Sequence, residues 1–162
     1  VTQHHPVFST AGERDNEKLR NLWKPLFDKY KVDLVLQGHD HTYARGQAGS
    51  LPKNEMGGVN KRENNAGTMY VVSVSGGKMY NLKKDSWKNY DAELERGAEN
   101  TQLFQVIQVE GNKLLYKAYT TSGALYDAFE LRKGSKKGSP NKFKEMKPAT
   151  EERRHTNTVP EY

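Results

Sequence analysis

The sequence has 162 residues, a net charge of +6 and no cysteine. That length suits one domain, and the missing thiol excludes a disulfide framework, a thiolate metal site and a cysteine nucleophile, while leaving the redox compartment open. No apolar run approaches the ~20 residues that a membrane-spanning helix requires.

The chain begins at Val1 without Met or an apolar leader, so targeting information is expected to be absent or removed. Val1–Gln3 is read as the end of a short strand, closed by Pro6, which lacks a donor. Residues 7–12 read as a loop, and Asp15 is the expected N-cap of a helix. Leu19, Leu22, Trp23, Leu26, Phe27 and Tyr30 follow at helical spacing and predict an amphipathic helix that covers a sheet, kinked or divided at Pro25. Val32–Leu36 is aliphatic and β-branched, the pattern of a buried strand, and Gly38 is expected to turn the backbone at its end. These pieces make a β-α-β crossover, which brings both strand ends to one edge of the sheet.

Residues 46–67 read as a long polar loop bordering that edge. Thr68–Ser75 reads as a strand, and residues 78–100 are ambiguous. Leu103–Val109, Leu114–Tyr119 and Leu125–Leu131, joined by glycine-containing turns, predict an antiparallel meander. Residues 132–162 hold nine Lys/Arg against four acids. The charge excess therefore belongs to a basic tail, 134–162, expected to be mostly irregular, with Phe143, Met146 and Val159 as its only anchors. A nucleic-acid-binding role would rest on this tail alone, since the core shows no basic stripe with interleaved aromatics.

Two motifs carry chemistry. His4-His5-Pro6 follows the first strand, and Gly38-His39-Asp40-His41 follows the second. In extended or turning chain, side chains at i and i+2 point the same way, so His39 and His41 are expected to converge. Imidazole suits zinc, iron and related ions, and two such clusters at neighbouring strand ends point to a metal centre.

Those motifs, with Leu26–Leu36, Thr42–Arg45, Gly67–Val72 and Tyr126–Leu131, resemble the C-terminal half of calcineurin-like metallophosphoesterases, nearest to bacterial proteins similar to purple acid phosphatases. The resemblance covers about residues 1–131. It implies an α/β fold, the C-terminal part of a four-layer α/β/β/α sandwich: one β-α-β unit, then an antiparallel meander. Residues 1–133 would form that half-domain. The implied activity is hydrolysis of phosphate mono- or diesters by a hydroxide bridging two metal ions, zinc, iron or manganese. By resemblance His4 and His39 would ligate the second metal and His41 the first. His5 would support the site, and Arg14 and Arg45 are candidates to contact phosphate, each also readable as an ordinary surface arginine.

The family's upstream motifs, Asp-x-His, Gly-Asp and Gly-Asn-His, are absent; Gly111-Asn112 continues with Lys113. The chain is therefore expected to be a fragment, inactive alone and binding at most one metal weakly. Expected partners are a phosphorylated substrate and the missing N-terminal half or a second copy, with no membrane and no nucleic acid. Two readings stay open beside it: a non-catalytic metal-binding module and the basic nucleic-acid-binding domain. A hydrolase of the His-x-His barrel type would need repeated βα units, which are absent.

Overall fold

The computed structural model describes residues 1–49, 65–88, 90–136, 139–146, 148 and 150–154. Its elements are β1 (Thr2–Gln3), α1 (Glu17–Tyr30), β2 (Leu34–Gln37), β3 (Tyr43–Ala48), β4 (Asn65–Ala66), β5 (Thr68–Val72), β6 (Ala92–Ala98), β7 (Leu103–Glu110), β8 (Lys113–Thr120), β9 (Leu125–Arg132) and β10 (Asn141–Glu145). One mixed sheet runs β1-β2-β5-β3-β6, and a second runs β4-β10-β9-β8-β7.

The expected crossover is present. β1 and β2 pair in parallel, Thr2 against Leu36 and Gln3 against Gln37. β2 is also parallel to β5, so three strands end at the same edge. Strand β5 is buried on both faces and its side chains alternate. Met69 and Val71 enter a core between the two sheets with Leu34, Tyr43, Tyr116, Phe129 and Leu131. Tyr70 and Val72 enter a second core under α1 with Phe8, Phe27, Val35 and Trp87. The layers are thus helix, sheet and sheet, part of the four-layer arrangement.

The helix departs from its reading at the N-cap and along the stripe, and Pro25 does not divide it. Asn16 holds the N-cap position and donates from its side chain to the Pro6 carbonyl at 2.8 Å, while Asp15 instead pairs with Arg20. Pro25 sits inside a continuous helix, which Lys31 ends in the left-handed conformation at φ 51°. Of the predicted stripe only Phe27 is deeply buried; Leu22 is 60% exposed and Tyr30 70%.

The sequence reading lacks β3, β4 and β6. β3 runs into the start of the segment read as a loop, β4 lies at the end of that segment, and β6 falls in the ambiguous stretch; residues 50–64 of the loop lie outside the described residues. β3 pairs antiparallel with both β5 and β6, with a bulge between Arg45 and Gly46. Gly46 is required there. A Cβ would overlap the Glu93 carbonyl oxygen and lie 2.5 Å from Cζ3 of Trp87.

The meander β7-β8-β9 forms as expected. The segment expected to be mostly irregular contributes a strand, β10, which pairs with β9 from Lys142 against Arg132 to Glu145 against Phe129. Phe143 packs on the core between the sheets, whereas Met146 is more than a third exposed. Val159 lies outside the described residues.

Candidate metal centre

The parallel register sets the site. Gln3 opposite Gln37 places His4 beside Gly38, whose N–H donates to the His4 carbonyl at 3.0 Å. Two strand ends are thereby locked together, and the imidazoles that follow them meet. His4 Nε2 lies 3.0 Å from His39 Nδ1, and the His5 and His39 ring centroids are 4.1 Å apart. One nitrogen from each of His4, His5 and His39 falls within 4.8 Å of the others.

The turn is made differently from its reading. His39, not Gly38, takes the left-handed conformation, at φ 67°. Such a conformation is uncommon for a residue with a side chain and is retained where surroundings over-determine it. It also ends the extended alternation, so His39 and His41 do not converge on one nitrogen cluster. The His41 Nδ1 instead lies 2.7 Å from the Lys78 carbonyl oxygen. A carbonyl only accepts, so Nδ1 carries the proton and a neutral His41 has its lone pair on Nε2. Both histidines still line one cavity of about 400 Å³ with His4, Arg14 and Lys78.

Asp40, between them, is fully buried. Its Oδ2 accepts from Ser9 Oγ at 2.7 Å and from the Thr10 N–H at 3.0 Å, and Oδ1 accepts from Arg14 Nη1 at 2.6 Å. Thr10 and Thr42 hydroxyls add a bond of 2.7 Å. This network fastens the loop carrying Arg14 to the turn carrying the histidines. It was missed in the sequence, where Asp40 reads only as a spacer; Lys78 and Tyr80 gave no signal either.

Arg14 therefore stands at the site, held by Asp40. Arg45 does not. It is fully buried between the sheets, where Nε and Nη2 both bond Asp127 at 2.9 Å, and it pairs with Glu95 and with Glu145. The reading of Arg45 as a phosphate contact or surface residue is corrected: its position in β3 aims it at the second sheet, and three carboxylates compensate its charge.

The surroundings of His39 favour its neutral form. Burial first, then the positive charge of Arg14 and the neighbouring His5 and His4, holds His39 below its ordinary pKa of 6.5. Three imidazoles with one nitrogen each within 4.8 Å of the others fit a single divalent ion, whose nitrogen ligands stand ~2.0–2.1 Å away. They do not fit two ions by themselves. Asp40, the carboxylate beside them, has both oxygens engaged.

No family model matches the chain. An uncharacterised protein of Mycobacterium tuberculosis is 47% identical over 47 residues, 28% of this chain and 9% of that protein. Purple acid phosphatase 1 of Ipomoea batatas is 37% identical over 49 residues, 29% of this chain and 10% of that enzyme. A purple acid phosphatase from yellow lupin (Lupinus luteus) seeds matches in structure with a TM-score of 0.55 and 23% identity, covering 83% of this chain and 24% of that one. The fold is that of part of a purple acid phosphatase, and the chain spans about a quarter of the lupin enzyme's length.

Proposed function

We propose that this chain is the histidine-bearing part of a dinuclear metallophosphoesterase of the calcineurin-like kind. His4 and His39 would hold one metal ion and His41, through Nε2, the other. The observation that carries the reading is the meeting of His4, His5 and His39 at adjacent ends of parallel strands, in a fold shared with a purple acid phosphatase. Bound metal ions, zinc, iron or manganese, would supply Lewis-acid stabilisation of the phosphoryl oxygens.

The chain's own groups prepare the cavity for that role. The Lys78 carbonyl fixes the His41 ring and its tautomer, the device by which metal-ligating histidines are oriented. Arg14, steadied by Asp40, presents a planar cation suited to phosphate. Phosphate mono- or diesters are the substrate class. The remaining donors, a carboxylate among them, would come from an N-terminal half seated against the open edge of β1. Leu22, Trp23, Leu26 and Tyr30 on α1 are solvent-facing and would be covered by that half or by a second copy. Alone, the chain is expected to bind one ion and hydrolyse little.

The all-imidazole donor set also supports a second reading, a metal-binding module without hydrolytic activity. Zinc titration of the chain and its His39→Ala variant, with aryl phosphate assays of the parent protein and its His39→Ala and His41→Ala variants, separates the two. A parent protein indifferent to both substitutions would sink the phosphoesterase reading. Zinc binding without any hydrolysis by the parent would favour the module.

A further inference from the structure

Beyond the histidine cavity lies a second one, of about 910 Å³, lined by Lys78, Tyr80, Asn100, Thr101, Thr121 and Arg153, among others. Lys78 and Tyr80 line both cavities and form the wall between them. That wall is bound to the metal-site turn at two points. The Tyr80 N–H donates to the His41 carbonyl at 2.8 Å, and the His41 ring donates to the Lys78 carbonyl at 2.7 Å. The His41 and Tyr80 rings lie 5.0 Å apart. A molecule held in the second cavity is thus one side chain away from the first.

The charged side chains that line the second cavity, beside apolar Met79 and Ala124, are of one sign. Among its described lining residues there are two cations, Lys78 and Arg153, and no carboxylate. Hydroxyls come from Thr101, Thr120, Thr121 and Ser122, and amides from Asn100 and Gln102. Arg153 is anchored where it stands, its Nη1 donating to Thr101 Oγ1 at 3.2 Å and its backbone N–H to the Tyr126 hydroxyl at 2.9 Å. The Asn100 side-chain nitrogen is buried with no partner among the described residues. The volume falls in the range of small-molecule sites. We infer that this cavity is a leaving-group subsite for the organic part of a phosphate ester that bears hydroxyls and a further negative charge. The inference rests on the phosphoesterase reading, which supplies the scissile phosphate at the histidine cavity.

The test is an amide chemical-shift titration of the zinc-loaded chain with inorganic phosphate and, separately, with fructose 1,6-bisphosphate. Phosphate is expected to shift amides around the histidine cavity, at residues 4–5, 14, 39–41, 78 and 80, and to leave Thr101, Thr121 and Ser122 unmoved. The bisphosphate is expected to shift these together with Thr101, Thr121 and Ser122, and to bind at least about fivefold more tightly, the worth of one or two exposed charge contacts. Arg153→Gln, and independently Thr121→Glu on the exposed turn, should remove that gain and leave phosphate binding unchanged. Equal affinity of both probes with shifts confined to the histidine cavity would overturn the subsite and leave the phosphoesterase reading standing. Shifts at Thr121 and Ser122 with none at the histidines would overturn the leaving-group assignment together with that reading.

Discussion

The Nε2 atom of His4 lies 3.0 Å from Nδ1 of His39 although 35 positions separate them. The contact exists because β1 and β2 are parallel neighbours in a β-α-β unit and their histidines follow the same register step. Removing one ring should therefore damage a shared site. His39→Ala is expected to weaken zinc binding by the chain at least about tenfold, with His5→Ala weaker in effect, read by calorimetric titration. Equal affinities for wild type and His39→Ala would show that the rings do not share an ion.

A pH effect follows from the same residue. Burial and the surrounding positive charge depress the His39 pKa below 6.5. Its protonated form is disfavoured in the fold, so the unfolded chain binds more protons below neutrality. The stability contribution is fully present above about pH 6.5 and is lost as pH falls from there through the folded value. Histidine ring NMR titration in the presence of a chelator should place His39 below the ordinary value, and His39→Asn should flatten the acid limb of the melting-temperature profile.

Asp40→Ala should act on the metal site without being part of it. Its buried oxygens hold Ser9, Thr10 and Arg14, and truncation leaves those donors unsatisfied at a cost of about 1–3 kcal/mol each in full burial, less for the half-exposed Arg14. Denaturant unfolding should show a loss in that range. Zinc affinity should fall about 10–100-fold, as for other groups that orient ligands. Intact affinity after the substitution would separate the network from the site.

The buried Arg45 cluster makes a sharper stability test. Arg45→Met would strand Asp127, itself fully buried, without its bidentate partner, and losing one member of a buried pair costs about 3–5 kcal/mol. The double variant Arg45→Met, Asp127→Leu should recover the part of that loss owed to Asp127, while Glu95 stays without its guanidinium. Denaturation midpoints of the singles and the double, analysed as a cycle, decide it.

Gly46→Ala should be more damaging than any surface change. The new methyl would press on the Glu93 backbone and the Trp87 ring, where overpacking costs about 1–3 kcal/mol or more. A melting temperature unchanged by the substitution would contradict the close approach of β3 and β6.

The crossover and the meander could be read from the sequence because their signals are local: helical spacing, aliphatic runs and glycine turns. β3 and β6 could not. Tyr43–Ala48 carries Arg45 and Gln47, and Ala92–Ala98 carries Glu93, Glu95 and Arg96, charges that argue for solvent. Arg45 and Glu95 are nonetheless buried or half-buried because Arg45 finds Glu95 in the neighbouring strand and Asp127 and Glu145 in the other sheet, a pairing visible only in three dimensions. The helix misled in the opposite sense, since Leu22 and Leu26 have core-like spacing and face solvent. At the site, the histidine motifs announced themselves. Lys78 and Tyr80 did not, because they arrive from a loop after β5 whose composition carries no motif.

Strand β10 has a practical bearing on how the basic tail can be studied. It sits between β4 and β9, bridges Arg45 through Glu145, and, through Asn141, reaches Asp33 at the entrance of β2. Cutting the chain near residue 133 to ask whether the tail binds nucleic acid would bare the hydrogen-bonding groups of β9 from Phe129 to Arg132. An uncovered strand of this kind invites pairing with other chains. Such a truncation would report precipitation or spurious oligomers rather than the tail's own affinity, so charge-reversing substitutions at exposed lysines are the sounder way to put that question.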